Sequence, residues 1–120
     1  MFNFEKLTAW NKAMDLAEFV YQASRQFPET ERFGLTSQMR RAAVSVPSNV
    51  AEGSSRSSPG DNGRFVEIAA GSLFEVVTQT ILARRLAFLP EQYFQKLYNS
   101  AEEESRILSG LRRSLLERAP

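Results

Sequence analysis

The sequence contains no histidine and no cysteine among its 120 residues. Without histidine it lacks the commonest general base, the Ser-His-Asp triad and the Glu-x-x-His motif of di-iron helical bundles. Without cysteine it has no disulfide, thiolate zinc site or cysteine nucleophile, which is typical of a reducing cytoplasm. We therefore expect a cytoplasmic protein that is not an enzyme and has no cofactor, metal or small-molecule substrate.

Net charge and long apolar runs are also scarce. Fifteen basic and 14 acidic residues leave a formal net charge of +1, so no strong global field attracts nucleic acid or anionic lipid. The sequence has no run of 18 apolar residues, and its first residues lack the basic-then-apolar order of a signal peptide. We expect no membrane partner, and the length suits a single domain over residues 1–120.

Apolar residues recur at steps of three and four through almost the whole chain, which predicts helices and no strands. Pro28 ends the first helix, and Thr36 is the expected N-cap of the second. Asp61 or Asn62 caps the third, and Pro90 opens the fourth. Short connections make neighbouring helices antiparallel, so the predicted fold is an all-α, up-and-down antiparallel four-helix bundle. The predicted helices run from about residue 6 to 27, from 37 to between 53 and 57, from 61 or 62 to 87, and from 90 to 117.

A proline and two glycines lie inside or beside the predicted second and third helices. Pro47 removes the hydrogen bond to the carbonyl of Ala43, and we predict a kink there because the apolar period continues beyond it. Gly53 is the expected left-handed C-cap before a loop over residues 54–63. Gly71 costs helix stability in mid-helix, which predicts close approach of a second helix.

The third helix carries an apolar face that is too wide for one bundle. Its apolar side chains cover more than half of the circumference, whereas a bundle helix needs a stripe only somewhat wider than 100°. Monomers seldom expose a large apolar patch, so we predict that copies of the chain cover it for one another; coverage by the kinked second helix and the loop within one protomer is the alternative. The predicted oligomer interface comprises Val66, Leu73, Phe74, Val77, Ile81 and Phe88.

Polar residues on the second and third helices share faces at spacings of three and four. One interpretation is an inter-helix cluster with Glu52 and Glu75 as metal or acid–base candidates. The favoured interpretation is structural: Ser45 and Asn49 satisfy backbone groups freed by Pro47, and the glutamates pair with arginines. The cluster comprises Ser45, Asn49, Glu52, Ser72 and Glu75. The acidic run at residues 102–104 is interpreted as a solvated face.

Three stretches resemble the family of four-helix bundle proteins known as 23S ribosomal RNA intervening-sequence proteins. They are residues 27–42 (FPETERFGLTSQMRRA), 45–53 (SVPSNVAEG) and 65–75 (FVEIAAGSLFE), and residues 7–16 and 21–28 also look like that family's first helix. The resemblance implies a four-helix bundle protomer and a ring-shaped homopentamer. Some members are encoded inside insertions of 23S rRNA genes, which suggests an RNA-related or ribosome-related partner, but the resemblance implies no biochemical activity.

Nucleic-acid binding is therefore the alternative to pure self-association. Arginines brought together and repeated around a ring would form a positive track for phosphates. The competing interpretation is that each arginine pairs with a nearby acid. The candidate phosphate-binding residues are Arg40, Arg41, Arg56, Arg64, Arg84 and Arg85.

Overall fold

A computed structural model describes residues 1–119, and every regular element within that range is helical. Four α-helices follow one another: α1 (Thr8–Ser24), α2 (Leu35–Ser54), α3 (Pro59–Arg85) and α4 (Glu91–Arg118). Short 3-10 turns at Asn3–Lys6 and Glu29–Glu31 precede α1 and α2.

Each helix packs against its two neighbours around a square. Close backbone contacts join α1 to α2, α2 to α3, α3 to α4 and α4 back to α1, whereas among the described residues the diagonal pairs have no Cα atoms within 8 Å of each other. The resulting rod measures 48 × 22 × 22 Å. The predicted all-α four-helix bundle is confirmed.

The antiparallel order places the start of α1 and the end of α4 at the same end of the rod. Phe4 lines a surface depression together with Ser54 and Ser55, so the start of α1 lies beside the end of α2. Lys12 pairs with Glu103 at 3.2 Å, and α4 therefore runs back toward the start of α1. The α1–α2 and α3–α4 turns occupy the opposite end.

The predicted caps of α2 and α3 are wrong. Thr36 is buried in the first turn of α2, and the N–H of Leu35 donates instead to the Glu31 carboxylate at 3.1 Å. Helix α3 begins two residues earlier than expected because Ser58 Oγ accepts from the N–H of Asp61 at 3.1 Å, with Pro59 in the first helical position.

The predictions for Gly53 and Gly71 are also wrong, because the close helix approach lies at Gly53 and not at Gly71. Gly53 lies inside α2 with ordinary helical geometry, and a Cβ there would meet Asn62 Oδ1 at 2.7 Å and Phe65 Cβ at 2.9 Å. Gly53, rather than Gly71, is thus the point of close helix approach. Gly71 is exposed, with open space where a Cβ would stand. The left-handed residue is Ala87, with φ of 62°, in the turn after α3.

Pro47 is buried within α2, which continues as one helix to Ser54 as the apolar periodicity predicted. Asn49 Nδ2 donates to the carbonyl of Ser45 at 2.8 Å, one turn away. This bond does not reach the carbonyl of Ala43, which is the group that Pro47 deprives of its usual donor. The expected repair by Ser45 and Asn49 is therefore wrong for that carbonyl.

Candidate functional site

The structure separates the six predicted interface residues into three groups. Val66 and Leu73 are at most 1% exposed and belong to the protomer's own core, so their assignment to a subunit interface is wrong. Three others are half-buried against that core: Val77, Ile81 and Phe88. Only Phe74, at 61% exposed, presents most of its side chain to solvent. Two neighbouring helices cover part of the wide apolar face of α3 and leave the rest of it exposed.

The uncovered part forms a ridge of large apolar side chains along α3. At 100° per residue, its members lie within an arc of about 120° on the outside of the bundle. This α3 ridge consists of Ile68, Phe74 and Leu82 together with Leu86, the residue directly after α3, each more than 40% exposed. Phe74 and Leu82 also border a shallow depression that reaches Leu35 of α2. Apart from Phe74, the prediction missed the ridge, because spacing along one helix does not show which flank its neighbours cover.

A second apolar surface lies between α1 and α2, on another side of the rod. Here a groove of about 790 Å³ is lined mainly by apolar and aromatic side chains. Exposed parts of Met14 and Val44 contribute to it, and Pro47 forms part of its floor. The apolar lining of this α1–α2 groove comprises Phe4, Trp10, Met14, Ala17, Tyr21, Val44, Pro47 and Ala51.

Three members of the predicted polar cluster do meet. Ser45 Oγ and Ser72 Oγ are 2.8 Å apart, which joins α2 to α3. Asn49 Nδ2 also donates to Ser45 Oγ at 3.0 Å. Because these side chains satisfy one another across the helix contact, the arrangement is a structural hydrogen-bond network.

The two glutamates of that cluster are far apart. Ser45 faces Ser72 and Gly53 faces Asn62, so the antiparallel register puts Glu52 about ten residues, or about 15 Å, from Glu75 along α3. Glu52 pairs with Arg56 at 2.6 Å. No cluster of three potential metal-ligating side chains occurs within residues 1–119. The two glutamates therefore cannot act together on one ion or substrate atom.

Half of the candidate phosphate-binding arginines are engaged by acids. Arg56 binds Glu52, Arg64 binds Asp61 at 3.0 Å, and Arg84 binds Glu91 at 3.2 Å. Among the described side chains, Arg40, Arg41 and Arg85 form no ion pair. The six arginines thus do not form one continuous track on the protomer.

Arg40 and Arg41 instead contribute to a basic groove near the start of α2. Arg40 Nε donates to Ser24 Oγ at 2.8 Å, and its guanidinium stacks 4.6 Å from the centre of the Tyr21 ring. No carboxylate is among the residues that line this space of about 610 Å³. We call it the arginine groove, lined by Tyr21, Arg32, Phe33, Arg40, Arg41 and Val44, together with Thr36, Ser37, Ser45 and Ser48. The sequence analysis missed Tyr21, Arg32 and Phe33 as groove residues, because they lie outside α2, the helix that carries Arg40 and Arg41.

Glu104 contradicts the prediction that residues 102–104 are a solvated face. It is 0% exposed, and neither carboxylate oxygen has a hydrogen-bond partner among the described residues. Burial, with a smaller contribution from the neighbouring Glu103 charge, raises the pKa of Glu104 to about 8. The signal was available in the sequence: positions 94, 97, 101, 104, 108, 111 and 115 follow the alternating three–four step of a core stripe.

These observations define the protein as an up-and-down four-helix bundle with open surface grooves as its candidate sites. The family model described as 23S rRNA-intervening sequence protein matches residues 5–110, and the chain belongs to that family. The resemblance drawn from the sequence is thereby confirmed. No curated protein matches the chain.

A solved structure shares the fold. It is the crystal structure of a protein with unknown function from the S23 ribosomal protein family of Bacteroides thetaiotaomicron VPI-5482. The TM-score is 0.81 at 18% sequence identity, over 88% of this chain and 98% of that chain. At this identity the similarity shows the fold alone.

Helix α3 has the length and hydropathy of a membrane-crossing helix, and it is the one helix within residues 1–119 that does. A core helix of a soluble protein meets the same criterion. In this structure α3 packs against both α2 and α4.

Proposed function

We propose that this chain is a non-enzymatic, self-associating protein of the cytoplasm, in which the α3 ridge of one copy fits the α1–α2 groove of the next. The observation that carries the proposal is the exposure of Phe74 at 61% within a ridge of four large apolar side chains. Fully burying a side chain of this kind gains about 1.5–3 kcal/mol, so covering the exposed half of each ridge side chain would gain roughly 1 kcal/mol. A groove of matching chemistry stands open on the same molecule.

The positions of the two surfaces favour a ring. The ridge lies on α3, whereas the groove lies between α1 and α2, so each copy offers two different faces. Contacts between unlike faces are head-to-tail, and they close into rings when the rotation between copies permits. This geometry suits the homopentamer that the family resemblance implies.

One acidic and one basic side chain lie beside each of the two surfaces. Glu18 and Arg25 line the groove, and Glu75 and Arg85 lie along α3 beside the ridge. None of these four side chains forms an ion pair with another described residue. Each acid therefore has a potential basic partner on the neighbouring copy, which would set the register of the contact.

Light scattering on surface variants tests the proposal. Phe74→Asp disables the ridge and leaves the groove intact, whereas Met14→Asp disables the groove and leaves the ridge intact. Leu116→Asp is the matched control, since Leu116 is a 50% exposed apolar residue on α4 outside both surfaces. We expect the unmodified chain and the control to form the same oligomer, and each of the other variants alone to have the monomer mass of 13.6 kDa.

Mixing the two disabled variants separates a head-to-tail contact from a symmetric one. The intact groove of Phe74→Asp accepts the intact ridge of Met14→Asp, and the pair cannot grow further. We expect a species of two chains in the mixture. A monomeric unmodified chain would contradict self-association, and a mixture that stays monomeric would contradict the ridge-into-groove contact.

Nucleic-acid binding stands as a second candidate function with a narrower basis than the sequence suggested. Arg56, Arg64 and Arg84 are paired with acids, so a phosphate would have to compete with these contacts. The observation that favours this function is the arginine groove, where Arg40 and Arg41 lie together without an acidic partner.

A further inference from the structure

The arginine groove is locally positive although the chain is almost neutral. Three guanidinium groups, those of Arg32, Arg40 and Arg41, line it without a carboxylate among them. Glu75 lines an adjoining depression together with Arg41 but forms no ion pair with it. Glu29 approaches Arg32 at 3.8 Å in a solvent-exposed pair, which is a weak interaction, and Glu31 accepts the first N–H of α2. Arg40 and Arg41 thus form no ion pair with a described acid, and Arg32 has only this weak one, so the groove keeps a local positive charge.

Arg40 is held in place before any ligand arrives. Its Nε donates to Ser24 Oγ at 2.8 Å, and Ser24 is 2% exposed, so the anchor is part of the packed interior. The Tyr21 ring supports the guanidinium plane from one side. Both terminal nitrogens of Arg40 remain free of hydrogen bonds to described residues, and a fixed guanidinium fork matches phosphate oxygens.

An exposed aromatic ring stands at the edge of the same groove. Phe33 is 87% exposed, more than any other phenylalanine in the described chain, and Arg32 lies 5.2 Å from its ring centre. Aromatic rings beside basic groups bind unpaired bases by stacking, and every base has a face that can stack. In a duplex, paired bases are already stacked, so their faces do not reach such a ring.

We propose that the arginine groove binds a single-stranded nucleic acid segment, with phosphates on Arg40 and Arg41 and one base stacked on Phe33. The inference rests on the second candidate function and not on self-association, because all of its contacts come from one protomer. An acidic peptide would use the arginines but would have no requirement for the Phe33 ring. A requirement for the Phe33 ring therefore distinguishes a single-stranded nucleic acid from an acidic peptide as the ligand.

Fluorescence anisotropy with a labelled oligouridine RNA of about eight nucleotides tests the proposal. The variants are Arg41→Gln, which removes a phosphate contact, and Phe33→Leu, which keeps an apolar side chain but removes the ring. Arg106→Gln is the matched control, because Arg106 is an exposed α4 arginine without an ion pair in the described range. A DNA strand of equivalent sequence, a duplex and inorganic pyrophosphate complete the set.

We expect the RNA to bind the unmodified chain, with affinity falling about 7- to 20-fold between about 50 and 200 mM salt for two to three phosphate contacts. Arg41→Gln should weaken binding about tenfold and reduce the salt slope by about 0.7. Phe33→Leu should also weaken binding about tenfold and leave that slope unchanged. Equal binding of DNA supports the proposal too, since neither contact requires the 2′-hydroxyl group.

Several results would overturn it. These are absence of RNA binding, equal loss with Arg106→Gln, preference for the duplex, or a Phe33→Leu variant that binds like the unmodified chain. Pyrophosphate that binds as tightly as the RNA would reduce the groove to a simple anion site. Light scattering on the same variants should give an unchanged mass, and the monomeric Phe74→Asp variant should still bind the RNA, so failure of this inference is distinguishable from failure of self-association.

Discussion

Replacing Glu104 by glutamine should remove most of the pH dependence of folding stability between about pH 5 and 9. The Glu104 side chain lies in the bundle core at 0% exposed, and both oxygens lack hydrogen-bond partners within the described chain. Its carboxyl group must therefore lose its hydration when it is buried, which penalises the ionised form. Glutamine has nearly the same shape and carries no charge at any of these pH values.

The magnitude follows from the pKa of about 8 in the folded protein and 4.5 in the unfolded chain. Between these values the folded protein keeps the proton and the unfolded chain releases it, so raising the pH favours unfolding. The contribution of the Glu104 proton to the free energy of unfolding is fully present below about pH 4.5 and is lost by about pH 8. At about 1.4 kcal/mol per pKa unit, the total loss is about 5 kcal/mol, of which about 4 kcal/mol falls between pH 5 and 9.

Urea unfolding followed by circular dichroism at about pH 5, 7 and 9, at one protein concentration, measures this effect. The chain is favourable for the experiment because it has no histidine or cysteine, the side chains that otherwise titrate in this range. We expect Glu104→Gln to match the unmodified chain near pH 5 and to exceed its free energy of unfolding by several kcal/mol near pH 9. Glu102→Gln, an exposed neighbour on α4, is the control. Parallel pH profiles for the unmodified chain and Glu104→Gln would refute the reasoning.

Two further substitutions test the helix contacts and turns. Gly53→Ala should destabilise the fold by about 1–3 kcal/mol, because its Cβ would lie 2.9 Å from Phe65 Cβ, whereas Gly110→Ala, in open space on α4, should stabilise it by up to about 1 kcal/mol. Ala87→Gly should stabilise the fold by about 1 kcal/mol by relieving a φ of 62°, whereas Ala70→Gly inside α3 should destabilise it by a similar amount. Thermal unfolding measures both pairs, and equal shifts within either pair would contradict the explanation.

Periodicity and short connections were sufficient to predict the fold. The step of three and four residues places each side chain around its own helix, and it predicted correctly that α2 continues through Pro47. The same reasoning could have found Glu104, since position 104 follows the α4 core stripe. Its acidic neighbours outweighed that signal, because a charged residue is seldom expected in a core.

The surfaces could not be predicted in the same way, because they depend on how helices approach one another. Gly53 and Gly71 look alike in the sequence, yet only Gly53 lies at the close α2–α3 approach. The α3 ridge and the arginine groove combine residues whose accessibility is set by neighbouring helices and turns. Arg40 illustrates the point, since its partner Ser24 lies on another helix, 16 positions earlier.

The position of the start of α1 and the end of α4 has a practical consequence for fusion proteins and for surface immobilisation. Phe4 and the final turn of α4 share one end of the 48 Å rod, and the arginine groove includes Arg32 and Phe33 of the α1–α2 turn at the far end. A fluorescent protein or an immobilising tether joined before α1 or after α4 would therefore point away from Phe33 and Arg41. The end of the rod that carries the α1–α2 turn therefore stays accessible whether the added domain is fused before α1 or after α4.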